Sequence, residues 1–194
     1  LSEGKLVLFT GTACQIAGLR LFLGEKCENT RLITCDVLCG GNVSPGLFNA
    51  YIKFIENKFN DQVKTVSFRT KKLGWKQHHI RVKLNSNIYE GARKDNEPFF
   101  SMYLGKISIR EACFHCKFAC HERVSDLTMG DFWGINEIDP DTDDDTGISL
   151  GIVNTQKGHE LIDSIKENCI YEKRSMEIAE KRQLNLRGTP LKSN

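Results

Sequence analysis

The residues with the richest chemistry lie in one stretch, residues 113–134, which reads CFHCKFACHERVSDLTMGDFWG. Metal-binding side chains are concentrated at its start: Cys113, His115, Cys116, Cys120 and His121. The spacing Cys113-x-x-Cys116 lets two thiolates bind one metal centre, and it occurs in zinc sites and in iron–sulfur sites. The sequence therefore predicts a metal centre that uses this stretch.

Two kinds of metal centre fit these residues. Zinc would take Cys113 and Cys116 together with Cys120 and one of the neighbouring histidines. A [4Fe–4S] cluster needs four thiolates, so a distant loop must contribute. Cys14 and Cys39 are suitable donors because each follows a predicted strand; if both contribute, Cys120 becomes a spare or substitute ligand. Spacing alone supports zinc and the cluster equally.

The composition is that of an ordinary globular protein. The 194 residues are 40% hydrophobic and 27% charged, which is enough for one domain with a real core. A net charge of +2 with scattered basic residues argues against nucleic-acid binding, and no apolar run reaches the roughly 20 residues that span a bilayer. Eight cysteines without an export signal favour metal or redox chemistry over disulfides, and a cytoplasmic location.

The elements that must position the first distant cysteine are a strand and a helix. The apolar run at residues 5–10 predicts a buried strand, residues 11–14 a glycine turn, and residues 15–23 a helix that ends at Gly24. Cys14 then lies at a helix N-terminus, where the helix dipole favours a thiolate. A small buried hydrophobe is the plainer interpretation of the same residue.

A second strand is predicted at residues 31–39, and it carries the other distant donor. Cys39 falls at its C-terminal end, where α/β folds usually build their sites, while Cys35 lies deeper in the strand. Ser44 and Pro45 then predict a helix start, followed by an apolar stripe at helical spacing to residue 59. The N-terminal part is therefore predicted to consist of strand–turn–helix units.

The middle of the chain has a different pattern. Further strands are predicted at residues 63–69, 80–84, 88–89 and 148–154, and helices at residues 97–104 and 157–168. The polar turn between residues 84 and 88 predicts a β-hairpin, and His78 and His79 before it are interpreted as surface residues. The aspartate-rich residues 139–147 predict a solvated loop. The predicted class is α/β, with a mixed sheet and an antiparallel hairpin in the middle.

Several motifs make the sequence recognisable when they are taken together. In chain order they are GTACQIAGL at residues 11–19, DVLCGG at 36–41, SFR-x-K at 67–71 with Gly74-Trp75, the Cys113/Cys116 pair, and SDLT-x-GDFWG at 125–134. With these motifs the chain resembles the C-terminal domain of the coenzyme F(420) hydrogenase/dehydrogenase beta-subunit family, from residue 5 to residue 168. The sequence departs from the family pattern at Ala13, Gly40 and Thr70.

The resemblance implies an iron–sulfur flavoprotein that passes electrons between a [4Fe–4S] cluster and bound FAD, with reduction of a deazaflavin in hydrogenase-type members. It carries the family's cluster ligands onto four cysteines: Cys14, Cys39, Cys113 and Cys116. Candidate flavin contacts are the helix start and the glycine-bounded loop, with one arginine for the pyrophosphate: Thr12, Gln15, Gly130, Asp131 and Arg69. Ordinary packing is the alternative for Phe132 and Trp133, and capping of a turn for Asp126 and Asp131.

The resemblance also implies a domain organisation and partners. Residues 1–170 are predicted to form one domain of the C-terminal type and residues 171–194 a peripheral tail, with an upstream ferredoxin-like portion missing. A ferredoxin-like protein or domain is the expected electron donor or acceptor. Two other functions are open: a structural zinc-binding module, and a redox-silent accessory protein of polysaccharide biosynthesis.

Overall fold

The structure is a computed structural model, and it describes residues 3–142 and 145–188, except for the side chain of Leu184. The predicted α/β class is confirmed, because these residues form a mixed sheet, an antiparallel sheet and six α-helices. The strands are β1 (Val7–Thr12), β2 (Leu32–Val37), β3 (Val63–Ser67), β4 (His79–Leu84), β5 (Ile88–Ala92), β6 (Leu127–Asp131) and β7 (Ser149–Val153). The helices are α1 (Ala13–Leu23), α2 (Pro45–Phe59), α3 (Pro98–Leu104), α4 (Glu111–Phe114), α5 (Gln156–Ile165) and α6 (Met176–Glu180).

The chain forms two compact units. The first contains the described residues up to Gly40, then Cys116–Ile138, and the described residues from Ile148 onward. The second contains Gly41–His115 and the described residues of the loop Asp139–Gly147. The chain therefore leaves the first unit after Gly40 and returns to it at Cys116. In the part of the chain that the structure describes, no helix is both long and apolar enough to cross a membrane.

The first unit is built on a four-stranded sheet with the order β1-β2-β6-β7. β1, β2 and β6 are parallel, whereas β7 is antiparallel to β6. Thr12 pairs with Val37, and Val37 pairs with Met129, so the carboxyl ends of the three parallel strands lie at one edge. The Leu38 N–H donates to the Met129 carbonyl at 2.8 Å, which continues the pairing past the end of β2. This edge is where the sequence places two of the candidate ligands.

The core of the first unit lies against its β6–β7 side. Its buried residues come from β7, from the segment after β6, and from the C-terminal part: Phe132, Ile135, Leu150, Ile152, Ala179 and Leu186. The described part of the predicted peripheral tail 171–194, residues 171–188, contributes Ala179 and Leu186 to this core. β6 itself was not predicted, because its pattern of Thr, Met, Gly and Asp lacks the apolar residues that identify a buried strand.

The glycine turn that the sequence predicts before the first helix does not exist. Gly11 and Thr12 still belong to β1, and α1 begins at the next residue, Ala13. The strand can run directly into the helix because the Gln15 side chain folds back, and its Oε1 accepts the Thr12 backbone N–H at 2.8 Å. The predicted helix end is confirmed, since Gly24 follows α1 with a positive φ of 56°.

The second unit contains the antiparallel sheet β3-β4-β5, which confirms the predicted hairpin. α2 begins as predicted, with Ser44 Oγ accepting the Leu47 N–H at 3.2 Å and Pro45 in the first turn. The core of this unit contains buried residues of α2, β4 and α3: Tyr51, Ile55, Ile80, Val82, Leu84, Phe99 and Phe100. The apolar stripe of α2 is thus core, as its spacing indicated.

The surface interpretation of His79 is wrong. Its side chain opens β4 and is only 4% exposed, and its Nδ1 lies 2.5 Å from Thr70 Oγ1. Glu97 is buried in the same unit, where it accepts hydrogen bonds from the Tyr51 hydroxyl at 2.9 Å and from the Phe100 N–H at 3.0 Å. These polar side chains are satisfied inside the protein, which periodicity alone does not reveal.

Candidate metal centre

Cys14 is the second residue of α1 and its side chain is exposed. It lies just beyond the carboxyl end of β1, in the first helical turn, whose backbone N–H groups have no carbonyl partner within the helix. Thr12 Oγ1 lies 3.0 Å from its sulfur, within hydrogen-bonding distance. An exposed thiol at a helix N-terminus is suited to act as a metal ligand once it is deprotonated.

Cys39 follows β2 by two residues and is half-buried. Because Thr12 and Val37 are paired, Cys14 and Cys39 stand at equivalent positions, each two residues beyond a paired strand residue. Both therefore belong to the same edge of the parallel sheet in the first unit. Cys35 lies within β2, and burial raises the pKa of its thiol, which disfavours the thiolate that a metal requires.

Cys113 lies in the second unit, in the short helix α4, where its N–H donates to the Arg110 carbonyl at 2.9 Å. Two contacts hold the start of this helix. Val43 and Ile109 form an antiparallel bridge, and the Arg110 N–H donates to the Asn42 carbonyl at 2.8 Å. The segment that precedes Cys113 is therefore paired with the segment that follows Gly41.

Cys116 and Cys120 belong to the first unit, and both are half-buried. The Cys120 sulfur lies 3.4 Å from the Lys117 carbonyl and 3.2 Å from the Glu122 carbonyl, so its thiol has acceptors within its own loop. The Cys116 carbonyl accepts the Ala119 N–H at 3.4 Å, which closes a turn after the ligand. These contacts give Cys120 a local structural role.

Arg123 is a buried residue of this region that the sequence reasoning missed. Its guanidinium donates to Asp36 at 2.9 Å, and the two side chains are only 3% and 0% exposed. It also donates to the carbonyl of Phe118 at 2.8 Å and to Thr128 Oγ1 at 3.2 Å. The available signal was Asp36 itself, because a charged residue in the middle of an apolar strand pattern needs a buried partner.

Asp126 is a second buried carboxylate in this region, and the sequence did not decide its role. It accepts hydrogen bonds from the N–H and Oγ1 of Thr34, both at 2.8 Å, and from Thr155 Oγ1 at 2.7 Å. Burial acts to raise its pKa, but these hydrogen bonds and the nearby Lys157 ammonium outweigh burial, so the pKa lies below the ordinary aspartate value. Asp126 therefore joins β2 to the segment before β6 and to the start of α5.

The predicted flavin contacts have local roles in the structure. Thr12 and Gln15 hydrogen-bond to one another at the start of α1. Gly130 and Asp131 are the last residues of β6, and a side chain on Gly130 would lie 2.8 Å from Leu38. In the second unit, Arg69 donates to the Trp75 carbonyl at 2.8 Å. Four of the five residues thus share the sheet edge described above, and their contact with flavin stays a prediction.

The aromatic pair after β6 divides into two cases. Phe132 is 5% exposed and lies in the core of the first unit, so packing accounts for it. Trp133 is half-buried. The glycine that follows it, Gly134, has a positive φ of 83°, which permits the turn that ends the motif.

None of the eight cysteines, all of which the structure describes, forms a disulfide, so each thiol can still bind a metal. Four thiols without carboxylate or amide donors make a soft ligand set, which suits iron–sulfur or zinc rather than magnesium or calcium. Within residues 3–142 and 145–188, no group of three or more His, Cys, Asp or Glu side chains is already arranged around a metal position. The four-cysteine set stays a prediction, and its donor chemistry fits a cluster.

Comparison with known proteins agrees with the motifs. A search of curated proteins finds no match. A family model matches residues 4–178 of the 194, and it describes the C terminus of the coenzyme F(420) hydrogenase/dehydrogenase beta subunit. This match covers most of the chain, including every motif on which the resemblance depends. The chain therefore belongs to the family formed by the C-terminal part of the coenzyme F(420) hydrogenase/dehydrogenase beta subunit.

Proposed function

We propose that this chain is an electron-transfer module that binds a [4Fe–4S] cluster through Cys14, Cys39, Cys113 and Cys116. The family indicates an oxidoreductase role within an electron-transfer complex, and an association with iron–sulfur groups. When bound, such a cluster supplies one-electron transfer. The protein's part is to hold four thiolates at fixed positions and to set the electrostatics around them.

One observation carries this proposal: the parallel register of β1 and β2. The pairing of Thr12 with Val37 gives Cys14 and Cys39 equivalent positions beyond neighbouring strand ends. Residues about 25 positions apart in the sequence reach one edge in this way, and the carboxyl edge of parallel strands is the usual place for a site in an α/β fold. Neither cysteine belongs to the cysteine-rich stretch, yet neither forms a disulfide and both reach solvent at least in part.

The contacts at the start of α4 support the assignment of Cys113 as the third ligand. The bridge between Val43 and Ile109 holds the chain that leads into Cys113. A side chain on Gly41 would lie 3.1 Å from Ile109, and Gly41 has a positive φ of 101°, so glycine permits the close approach of these two segments. Cys116 follows Cys113 at a spacing that is common for two ligands of one cluster.

We further propose that the electrons pass to or from a flavin, with a ferredoxin-like protein or domain as the partner. Support for the flavin comes from the shared position of Thr12, Gln15, Gly130 and Asp131 at the edge that carries Cys14 and Cys39. The exposed Asp131 and the backbone of the first turn of α1 are groups at this edge that can accept from or donate to a ligand.

Anaerobic reconstitution with iron and sulfide tests the cluster. The purified chain is expected to take up about four iron and four sulfide per molecule and to gain the broad visible absorbance of thiolate-bound iron. Cys39→Ser is expected to abolish most of this uptake. Cys35→Ser is the matched control, since it removes a thiol from the same strand segment and is expected to leave uptake unchanged.

Other results would contradict the proposal. Stoichiometric zinc without labile sulfide would identify a structural zinc module, and a chain that binds neither metal would identify a redox-silent relative. Full iron uptake by Cys39→Ser, together with its loss in Cys120→Ser, would show that Cys120 is the fourth ligand. Flavin is tested separately by equilibrium dialysis of the reconstituted chain with FAD.

A further inference from the structure

We infer that Arg123, paired with Asp36, is a positioning residue for the cluster: it fixes the loop that carries Cys116 onto the strand that leads to Cys39. This inference rests on the proposed function. Neither Arg123 nor Asp36 is one of the four proposed ligands.

The Arg123 guanidinium makes contacts in two directions. Towards the sheet it donates to Asp36 Oδ2 at 2.9 Å and to Thr128 Oγ1 at 3.2 Å. Towards the loop it donates to the Phe118 carbonyl at 2.8 Å and to the Cys120 carbonyl at 3.4 Å. One rigid, planar guanidinium group therefore joins two neighbouring strands to two carbonyls of the loop. Lysine has no equivalent geometry, because its ammonium is a single point.

The loop carbonyls lie close to a candidate ligand in the chain. Phe118 is two residues after Cys116, and Asp36 is three residues before Cys39. The pair Asp36 and Arg123 thus connects segments that are 87 residues apart in the sequence. Fixing both segments to one ion pair limits how far the two thiols can move relative to one another, and both thiols belong to the first unit.

Burial makes this contact obligatory. The Asp36 side chain is fully buried, and its Oδ1 is one of two buried side-chain atoms without a hydrogen-bond partner among the described residues. Its Oδ2 is held by Arg123. A buried carboxylate that loses its cation is strongly destabilising, so Asp36 keeps the guanidinium in place.

The pair also joins two opposite charges to the segments that carry two of the proposed ligands, Cys39 and Cys116. A positive charge near a cluster favours its reduced form and a negative charge disfavours it, since reduction adds negative charge. Replacing Arg123 by a neutral residue is therefore expected to lower the reduction potential, and replacing Asp36 by a neutral residue to raise it. A residue with only a structural role would not produce opposite shifts.

The test uses the reconstituted chain and four variants. Arg123→Met removes both the positive charge and the planar set of donors of the guanidinium, whereas Arg123→Lys keeps the charge. Asp36→Asn removes the negative charge of the pair. Arg20→Met is the matched control, because Arg20 also donates to a backbone carbonyl of the first unit, that of Val124, which lies outside the loop from Cys116 to Cys120. Two quantities are measured: the rate of iron loss to a chelator and the midpoint potential from a redox titration.

Arg123→Met is expected to lose iron about tenfold or more faster than the wild type, the usual effect of removing a residue that orients ligands. Arg123→Lys is expected to lose iron faster as well but to keep the wild-type potential. Arg123→Met and Asp36→Asn are expected to shift the potential in opposite directions. Arg20→Met is expected to behave as the wild type in both measurements.

If a single variant does not fold, the double variant Asp36→Leu/Arg123→Met replaces the pair with apolar side chains, which buried ion pairs usually tolerate. It is expected to show the circular dichroism of the wild type and to lose iron quickly. The inference is overturned if this folded variant, or Arg123→Met, retains iron as well as the wild type. It is also overturned if Arg123→Met has an unchanged potential. Failure of the wild type itself to take up iron and sulfide would instead refute the proposed function.

Discussion

Asp126→Asn is the most informative single substitution for the packing of the first unit. The wild-type carboxylate is 2% exposed and accepts three short hydrogen bonds, from the N–H and hydroxyl of Thr34 and from the hydroxyl of Thr155. Its Oδ1 also lies 3.8 Å from the Lys157 ammonium. Asparagine has nearly the same shape, so the substitution changes charge and hydrogen bonding without creating a cavity.

The expected cost follows from these contacts. Asparagine can keep the two bonds from Thr34 through its carbonyl oxygen, but they change from charge-assisted bonds to neutral ones. Its amide nitrogen then faces Thr155 and Lys157, which are donors in the wild type. Bonds to a charged acceptor contribute about 1.5–3 kcal/mol and neutral ones about 0.5–1.5 kcal/mol, so the weakening of the two Thr34 bonds alone is expected to lower the free energy of unfolding by about 2–3 kcal/mol.

The same contacts predict a dependence on pH. The pKa of Asp126 is lowered in the folded protein, so its carboxylate contributes stability above the pKa that aspartate has in the unfolded chain, about 4. This contribution is lost as the pH falls from that value through the lowered folded pKa. The difference in stability between the wild type and Asp126→Asn is therefore expected to be largest near pH 7 and to shrink below about pH 4.

Urea unfolding followed by circular dichroism at pH 7 and at several acid pH values measures both effects. Asp163→Asn is the control, since it makes the same chemical change in an exposed ion pair with Lys166 and is expected to cost under about 0.5 kcal/mol. Equal stability of the wild type and Asp126→Asn at pH 7 would refute the argument. So would a difference that does not decrease in acid.

Two further predictions concern single side chains. Tyr51→Phe is expected to destabilise the second unit by about 1–3 kcal/mol, because the buried Glu97 loses the donor on its Oε1; urea unfolding measures the loss. Gly134→Ala is expected to destabilise the protein by about 1–2 kcal/mol, because Gly134 has a positive φ and a Cβ there would overlap Arg182. Gly18→Ala is the matched change in α1. A Cβ at Gly18 meets no neighbouring atom, so this substitution is expected to stabilise the protein by up to about 1 kcal/mol.

These predictions have their own controls. Tyr171→Phe changes a hydroxyl on a half-exposed side chain and is expected to leave the unfolding midpoint within error of the wild type. An equal effect of Tyr51→Phe and Tyr171→Phe would argue against the role of the Glu97 hydrogen bond. Equal changes in stability for Gly134→Ala and Gly18→Ala would show that the backbone conformation at Gly134 imposes no constraint.

The features that the sequence predicted well are those fixed by neighbouring residues. The start of α2 follows from Ser44 and Pro45, whose cap and preset φ act within one turn. The hairpin of β4 and β5 follows from alternating apolar residues around a polar turn. Such signals are local, so they are visible without knowledge of what packs against them.

The features that the sequence missed depend on distant pairings. β6 lies between β2 and β7, and its Thr128 is fully buried, with its hydroxyl accepting from Arg123 and Asn154. A buried threonine is indistinguishable from an exposed one in a pattern of hydrophobicity. His79 was misassigned for the same reason, since its partner Thr70 lies on another segment. The predicted turn before α1 was wrong because Gln15, rather than a glycine, supports the change from strand to helix.

The candidate site also contains some residues that local sequence signals reveal and others that depend on distant pairings. The motifs identified the cysteines and the family, because ligand spacing is written into consecutive residues. They did not identify Arg123, whose four contacts involve Asp36, Thr128 and two carbonyls, and which no spacing rule connects with a cysteine.

The order of segments in the first unit has a consequence for how the chain folds. β3, β4 and β5 are consecutive in the sequence, so the sheet of the second unit can form soon after residue 92 is synthesised. One side of β2, in contrast, pairs with β6, which is synthesised much later. The hydrogen-bonded residues Thr34 and Asp126 on this side are 92 residues apart in the sequence. Until then one side of β2 is an open strand edge, the kind of edge that recruits other chains. We therefore expect refolding to be biphasic, with the hairpin sheet forming fast and the parallel sheet slowly, and we expect chains truncated before β6 to aggregate.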